Sequence, residues 1–441
     1  MSFLGAQNSI ALGVQGLIHI DTGVVGSADY LLAKSLRFRS SASAYLSRTA
    51  GTPTSTTVWT ASAWVKRGAL SQYTSLFCSA GSGTNFTGVV INSVTAQLTI
   101  YWNSSAGPIA SSTAVFRDPA AWYHIVWVQN GTATTVYVNN TSVLTTTVSG
   151  TSTQFNQSGQ PQQIGANTGN AIYNDGEMAE INFVDGQALA PTSFGASSTY
   201  NQWLPIKYAG TYGTNGFYLP FTNTASTSTL VADSSGNGNN WTPNNISLTA
   251  GSTYDSLTDV PTLTSTTVAN YAVLNPLVPP ELSTTFNDGN LRFVGAGAVV
   301  GSMGMSAKTY VEMTPGSATS VAIGVGPLVS GSRGGAGQGI QDSVLWFSGG
   351  SVFKDGGATA VATYATFTTN DVCAFTFDPS NRQVTFYKNN VSQGSQTVSG
   401  TQAISFYTLG NTGATAAVNF GQQPFAYTPP SGFLPLNTFN I

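Results

Sequence analysis

The chain has 441 residues, of which only 7% are charged, and its formal net charge is −3. This length exceeds one ordinary hydrophobic core and predicts two or three domains. Its 14 Lys and Arg residues are spread thinly along the sequence and form no basic stripe, which excludes nucleic acid and anionic membrane surfaces as partners.

The composition predicts an all-β protein. The 48 Gly and 19 Pro residues, together with many Ser, Thr and Asn residues, suit short strands joined by tight turns. An aromatic content of 11% supplies enough apolar surface for packed cores, so we do not expect disorder.

Residues 1–34 are mildly apolar and precede the first strand pattern. No Lys or Arg occurs before Lys34, so the positive region of a signal peptide is missing, and no run approaches the roughly 20 apolar residues of a membrane helix. We therefore expect a short N-terminal docking arm that packs either on its own downstream domain or on a neighbouring subunit. We also expect assembly in a cytoplasm, without membrane insertion.

Residues 35–200 show the two-residue alternation of antiparallel strands. The pattern from Val58 to Lys66 places Ser62 and Trp64 on one face. Two later runs, residues 122–128 and 135–139, predict a hairpin followed by a reversal at Asn139-Asn140. This part of the chain is predicted to be a β-sandwich.

Four separated motifs in this region carry a family resemblance: AWYHIV at residues 121–126, VYVN at 136–139, IG at 164–165 and DGEMAEI at 175–181. Their order and spacing resemble those of the laminin-G-like, concanavalin A-like jelly roll. The resemblance implies two curved antiparallel sheets whose ligand lies on the concave face or on the rim loops.

Residues 201–285 form a turn-rich connector that contains several aromatic residues, among them Trp203, Tyr208, Tyr212 and Tyr218. We expect this connector to pack on the first domain rather than hang free.

Residues 286–441 alternate as strands again and are predicted to be a second sandwich. The strand IGV at 323–325, a hairpin with FYKNN at 386–390 and the closing segment VNFGQQPF at 418–425 resemble the SPRY (B30.2-like) sandwich. That resemblance implies binding through edge loops without catalysis. The order of domains, connector included, is similar to that of tail and structural proteins of bacteriophages.

The cysteines Cys78 and Cys373 lie far apart, each within a strand-like run. We expect two buried free thiols, which favours assembly in a reducing compartment.

No catalytic set is predicted. A glycan hydrolase needs two carboxylates in one cleft, and Asp175 and Glu177 share a strand face whereas Glu180, at odd spacing, is expected on the other face. The histidines are His19, in the arm, and His124, inside a strand, where a packed imidazole is expected. Two histidines and two distant cysteines cannot build a zinc site.

One loop is a weak calcium candidate, and no other cofactor is expected. Asp233, Asn237 and Asn239 could present oxygen ligands, although strings of Asp, Asn and Gly are also ordinary turn chemistry. The glycine-rich run 331–337 is expected to be an exposed loop rather than a phosphate cradle.

Aromatic residues near turn signals are candidate glycan platforms, because a ring face stacks on a sugar face while amides bind sugar hydroxyls. Those positions are Tyr73, Trp102, Tyr173 and Trp346, and core packing is the alternative for each.

The leading hypothesis is a non-enzymatic bacteriophage virion protein, a tail fibre or spike. It would form a homo-oligomer such as a trimer, attach to other virion proteins through residues 1–34, and bind a host-surface glycan or neighbouring subunits through rim loops. A head decoration protein and a glycan depolymerase with Asp175 and Glu177 are the alternatives.

Overall fold

The computed structural model describes residues 30–79, 86–102, 107–148, 155–278, 284–317, 320–328 and 340–441. The chain divides into two compact units, Met1–Ile246 (unit 1) and Ser247–Ile441 (unit 2). Both units consist of antiparallel strands, which confirms the all-β class and the tandem sandwiches. The boundary between the units falls inside the predicted connector 201–285, whose first part belongs to unit 1 and whose second part belongs to unit 2.

The helical segments of the described chain are short. They are the α-helix α1 (Thr227–Leu230) and the 3₁₀ turns Ser40–Ala42, Thr168–Asn170 and Pro191–Ser193. No helix in the described residues has the length and apolar character needed to cross a membrane.

The strands of unit 1 are β1 (Ser35–Phe38), β2 (Tyr45–Thr49), β3 (Val58–Arg67), β4 (Thr74–Ser79), β5 (Gly88–Ile91), β6 (Gln97–Tyr101), β7 (Ala110–Val115), β8 (Trp122–Asn130), β9 (Ala133–Val138), β10 (Thr141–Thr147), β11 (Pro161–Ile164), β12 (Ala166–Asn167), β13 (Ile172–Tyr173), β14 (Gly176–Asp185), β15 (Gly195–Ser197), β16 (Trp203–Pro205), β17 (Phe217–Leu219) and β18 (Thr242–Asn244). Its first sheet contains the order β10-β9-β8-β3-β14-β1, with β17 paired to β14. Its second sheet has the order β18-β2-β11-β4-β5-β6-β7.

The core of unit 1 is aromatic. Trp59 and Trp127 of the first sheet meet edge to face, with ring centroids 4.6 Å apart. Phe155 packs between Phe183 of the first sheet and Phe77 of the second, at 5.3 and 5.9 Å. Rings of this size bury much apolar surface, in keeping with the aromatic content of 11%.

Strand β14 contains a β-bulge. Ala179 pairs with Trp64 and Asn182 pairs with Ser62, so β14 carries one more residue than β3 across this interval. Glu180 lies in the bulge with φ of 52°. An extra residue shifts the alternation of side chains along a strand, so the faces beyond the bulge cannot be read from spacing alone.

The strands of unit 2 are β19 (Ser256–Leu257), β20 (Thr284–Asn287), β21 (Arg292–Gly295), β22 (Gly297–Gly304), β23 (Thr309–Pro315), β24 (Val321–Pro327), β25 (Val344–Phe347), β26 (Ser351–Lys354), β27 (Ala362–Thr363), β28 (Cys373–Asp378), β29 (Gln383–Lys388), β30 (Val391–Thr397), β31 (Ile404–Gly410) and β32 (Thr415–Asn419). One sheet has the order β20-β21-β32-β23-β28-β29-β30, and the other has the order β22-β31-β24-β25-β26-β27. The rings of Phe375 and Phe406, one from each sheet, stack in the core at 6.2 Å.

The same hairpin turn occurs once in each unit. Asn139 and Asn140 join β9 to β10 with φ of 46° and 68°, and Asn389 and Asn390 join β29 to β30 with φ of 46° and 69°. In both hairpins the Oδ1 of the first Asn accepts a hydrogen bond from a backbone N–H, that of His124 in β8 or that of Val372 just before β28. Two positive φ angles are typical of the type I′ turn, which matches the twist of antiparallel strands.

Candidate functional site

The outer face of the second sheet of unit 1 is defined by strand alternation. The buried row Leu46, Ile164, Phe77, Val89 and Ile100 runs across the sheet and faces the core. The next row in register therefore faces away from the core. It consists of Ser47, Gln163, Cys78, Gly88 and Tyr101.

Four tyrosine rings lie on this face, all half-buried, and we call them the tyrosine face: Tyr45, Tyr73, Tyr101 and Tyr173. The rings of Tyr45 and Tyr173 lie 6.1 Å apart at one side of the sheet. Tyr101 lies at the other side of the face, on β6, which is four strands from β2 in the sheet order. At the usual spacing between neighbouring strands, the two sides are roughly 19 Å apart.

At the second side of the face, Tyr73 and Tyr101 pack on a small apolar cluster of Cys78, Phe86 and Val90. The ring of Tyr101 stacks on Phe86 with centroids 4.6 Å apart. Burial, with a further contribution from Tyr73, raises the pKa of the Tyr101 hydroxyl. This hydroxyl therefore keeps its proton at neutral pH.

Amide and hydroxyl groups surround the rings. Asn92 Nδ2 donates to the hydroxyl of Tyr73 at 3.5 Å, and Asn244, paired with Tyr45, donates to Ser47 Oγ at 3.0 Å. Partly exposed rings beside uncharged hydrogen-bonding groups provide the two kinds of contact that a neutral sugar uses.

The structure divides the four aromatic residues singled out from the sequence. Tyr73 and Tyr173 lie on the tyrosine face. Trp102 is only 5% exposed, and Trp346 is fully buried in the core of unit 2 against Phe367. Neither indole presents a ring face for stacking. Its near-complete burial makes Trp346 a core residue, which was the alternative reading.

Sequence reasoning missed Tyr45 and Tyr101. Both lie in short strands whose alternation, Tyr45-Leu46-Ser47 and Thr99-Ile100-Tyr101, would have placed them opposite the buried residues. Both residues stand within strands rather than near turn signals.

The acidic pair of the depolymerase alternative is buried. Asp175 and Glu177 are each 1% exposed. Asp175 accepts hydrogen bonds from Ser40 Oγ at 2.8 Å and from the backbone N–H of Ala69 at 3.1 Å. A glycosidic bond needs carboxylates presented to a cleft, and these two side chains are shielded from solvent.

Glu180 corrects one expectation from strand spacing. Its carboxylate contacts the hydroxyl of Tyr218, which points away from the buried neighbours Phe217 and Leu219. The bulge therefore turns Glu180 to the outer face of the first sheet, the face that also carries Glu177, opposite to the prediction.

The calcium candidate is a hydrogen-bonded turn. The Asp233 carboxylate accepts from two groups of Ser235 and from the backbone N–H groups of Tyr218 and Asn239. Asn237 and Asn239 turn their amide N–H groups toward backbone carbonyls of residues 213–216. In the described residues no three His, Cys, Asp or Glu side chains are grouped to hold a metal. Calcium binding at this loop stays a prediction that the geometry does not favour.

The remaining predicted features fall in two groups. His124 is fully buried in β8, and Cys78 and Cys373 are buried free thiols, as expected. His19, most of the arm 1–34 and the glycine-rich run 331–337 lie outside the described residues.

Comparison with known proteins supports the fold of the first unit. The model of the concanavalin A-like lectin/glucanases superfamily matches residues 40–193, within the predicted range 35–200. No curated protein matches the chain.

Solved structures similar to the chain include three domains of low identity. They are the SPRY domain of human HERC1 (14% identity, 31% of this chain and 91% of that chain, TM-score 0.27), the heptameric SAP-like pentraxin from Limulus polyphemus (20%, 33% and 71%, 0.27) and domain 4 of AbnA, a GH43 extracellular arabinanase from Geobacillus stearothermophilus, in complex with arabinotriose (19%, 31% and 64%, 0.26). Residues 40–193 are therefore similar to the concanavalin A-like lectin/glucanases superfamily by the family model, and SPRY domains are among the structural neighbours of the chain.

Proposed function

We propose that this chain is a non-catalytic adhesion protein of a bacteriophage virion that binds a host-surface glycan through the tyrosine face of unit 1. The observation that carries the proposal is the presence of four half-buried tyrosine rings on one sheet face of a concanavalin A-like lectin domain. Each ring offers stacking of about 0.5–1.5 kcal/mol beyond the area that it buries.

The charge of the chain favours a neutral sugar over an acidic one. The sequence has 14 basic and 17 acidic residues, and no Lys or Arg stands among the tyrosine face and its described polar neighbours Ser47, Asn92 and Asn244. Recognition would therefore rest on ring stacking and on hydrogen bonds to sugar hydroxyls.

The assignment to a virion rests on the sequence. Two tandem sandwiches, an apolar arm at residues 1–34 and a low charge suit close packing of identical subunits, because few charges need to be desolvated at their contacts. The arm would attach the homo-oligomer, a trimer, to other virion proteins, and the tail is the proposed location. Immunogold electron microscopy of phage particles would test the location, and absence of label from virions would contradict it.

Glycan binding is tested with a printed array of bacterial surface glycans and the purified chain. We expect binding to at least one uncharged glycan. The double variant Tyr45→Ala/Tyr173→Ala and the double variant Tyr73→Ala/Tyr101→Ala should each weaken that binding about tenfold or more, since two stacked rings are lost.

Tyr200 provides the matched control. It is 64% exposed and lies between β15 and β16, outside the second sheet, so Tyr200→Ala should bind like the wild type. Circular dichroism verifies that each variant keeps its fold. Binding that is unchanged in both tyrosine-face variants would contradict the site, and no binding to any glycan would contradict the function.

The non-catalytic part of the proposal is tested separately. Incubation of the chain with host capsule or lipopolysaccharide should release no new reducing ends. Release that is abolished in Asp175→Asn and Glu177→Gln variants would instead support the depolymerase.

A further inference from the structure

Glu180 is held in a backbone conformation that few residues other than glycine adopt. Its φ is 52°, it lies in the bulge of β14, and its side chain belongs to a residue only 3% exposed. Placing a buried acidic residue at a positive φ lowers the stability of the fold. Such strain is retained where the surrounding structure needs that residue in that position.

Two tyrosine hydroxyls close a ring with the Glu180 carboxyl group. The Tyr30 hydroxyl lies 2.6 Å from Oε1, and the Tyr218 hydroxyl lies 3.0 Å from Oε2. The two hydroxyl oxygens also lie 2.7 Å from each other. All three separations are hydrogen-bond distances between oxygen atoms.

Each of these three contacts needs its own proton. A tyrosine hydroxyl has one proton, so Tyr30 and Tyr218 together supply two. If both hydroxyls donate to an ionised carboxylate, the 2.7 Å contact between them holds no proton and brings two lone pairs together. A third proton is missing from that arrangement.

The neighbouring donors do not supply it. The hydroxyl of Tyr212 lies 2.7 Å from Oδ1 of Asn182, where its proton is used. The Asn182 amide donates to the backbone carbonyl of Glu180 at 3.2 Å, and its interaction with the carboxyl group places no proton between the Tyr30 and Tyr218 oxygens.

We infer that the Glu180 carboxyl group is protonated and completes a closed ring of three hydrogen bonds that fastens Tyr30, and with it the segment leading into β1, to the first sheet. In the ring, Glu180 donates to the Tyr218 oxygen, Tyr218 donates to the Tyr30 oxygen, and Tyr30 donates to Oε1. Every proton and every short contact is then accounted for.

The surroundings agree with a neutral carboxyl group. Burial raises the pKa of Glu180 from 4.5 to about 7, and the two tyrosine hydroxyls, Lys207 and Asn182 partly oppose this increase. Lys207 is exposed, so its charge is screened by water. The other charged groups on this face of the sheet include Glu177 of β14 itself and its cross-strand neighbours Arg37 of β1 and Lys66 of β3. Tyr212 and Asp233 are the titratable groups of the covering segment that interact with one another.

Loss of the proton would release Tyr30 rather than Tyr218. Tyr218 belongs to β17, which pairs with β14, and its backbone N–H is bound by Asp233. Tyr30 stands before β1 and has no strand partner in the described residues. The folded pKa is raised, so the stabilisation is complete below pH 4.5 and is lost as the pH rises through about 7.

Hydrogen exchange of the full chain measures this release, at about pH 6 and about pH 8.5, on either side of the pKa. After correction for the intrinsic rate, protection of the amides of residues 31–34 should fall about tenfold at the higher pH in the wild type. Glu180→Gln supplies a permanent donor and acceptor and should keep this protection at both pH values. Tyr30→Phe breaks the ring of hydrogen bonds, so this variant should lack the protection of residues 31–34 at both pH values.

Infrared difference spectroscopy between the wild type and Glu180→Gln gives a readout independent of segment mobility. At about pH 6 the wild type should show the carbonyl band of a protonated carboxylic acid that the variant lacks. The inference is overturned if that band is absent, or if the wild type and Glu180→Gln lose protection equally at high pH. The control Tyr212→Phe, which is adjacent but outside the ring, should keep the wild-type pH response.

Discussion

The indole N–H of Trp203 donates a hydrogen bond to Nδ1 of His124 at 2.9 Å. An indole nitrogen only donates, so Nδ1 is the unprotonated nitrogen of the ring and the proton of the neutral imidazole is on Nε2. Nε2 lies 2.8 Å from Ser62 Oγ, which therefore accepts from it. A histidine that activates a serine must accept the hydroxyl proton of that serine. Here Nε2 donates to Ser62 Oγ instead, so the pair is arranged for structure and not for nucleophilic catalysis.

His124 is expected to stay neutral throughout the physiological pH range. Burial lowers its pKa from 6.5 to about 3. The unfolded chain binds the proton more readily between these values, so the contribution of His124 to the unfolding free energy should be constant above pH 6.5. That contribution should fall by roughly 1.4 kcal/mol per pH unit as the pH decreases toward 3. Nitrogen-15 NMR of the ring should report a proton on Nε2 and no titration above about pH 5. A titration near 6.5 would contradict the buried arrangement.

Substitution of Asp185 is expected to be among the most destabilising changes in unit 1. Its carboxylate accepts from the backbone N–H groups of Thr54, Ser55 and Asn215 and from the Asn156 amide, at 2.6 to 3.1 Å. Asp185→Asn puts an amide N–H against these donors and should cost about 3 kcal/mol or more of unfolding free energy, measured by urea denaturation.

Asp118 is the control for that measurement. It is half-buried and accepts on its side chain from the backbone N–H of Ala120 in a local turn. Asp118→Asn should cost about 1 kcal/mol or less. Equal losses in both variants would show that Asp185 does not fasten its loops.

The two Asn-Asn hairpins make a matched pair within one chain. Asn139→Ala and Asn389→Ala should each destabilise their own hairpin by about 1–2 kcal/mol, because Ala disfavours positive φ and cannot accept the strand N–H. Hydrogen exchange should show faster opening of β9 and β10 in the first variant and of β29 and β30 in the second. Asn140→Gly and Asn390→Gly keep the turn and should leave exchange nearly unchanged. Opening in the other unit instead would contradict this local effect.

Both thiols are expected to be unreactive in the folded protein. Burial raises the pKa of Cys78 to about 12 and raises the pKa of Cys373 well above its usual value. The reactive thiolate is therefore scarce as well as enclosed. Titration with a disulfide reagent at about pH 8 should modify neither residue until denaturant is added. Rapid labelling of one thiol in the native protein would show that its strand opens to solvent.

Alternation in the sequence predicted much of the fold because each sheet has one face packed on a core. Ser62 and Trp64 do share a face, where Trp64 stacks on His124 at 4.9 Å, and the reversal at Asn139-Asn140 is confirmed. These features depend on residues close together in the chain. The family match over residues 40–193 agrees with the four motifs that carried the resemblance.

The features that could not be predicted from the sequence depend on contacts between strands that are far apart in the chain. The bulge at Glu180 arises from the register of β14 with β3 and β17, which no local pattern specifies. Trp346 stands near the turn at Gly349 and Gly350, which suggested exposure, but packing against Phe386 of the opposite sheet buries it. Tyr45 and Tyr101, in contrast, were within reach of strand alternation, since each stands next to a buried residue of its own strand.

The bulge in β14 also affects how this strand should be aligned with those of relatives. A chain that lacks the extra residue can keep the same sheet, with the same inward-facing side chains on both sides of the interruption. Its sequence would then be shorter by a single position opposite Glu180, and that gap would mark a genuine change of backbone path. Homologues without the insertion would lack the residue at the Glu180 position, and with it the two hydrogen bonds that this carboxyl group makes with Tyr30 and Tyr218.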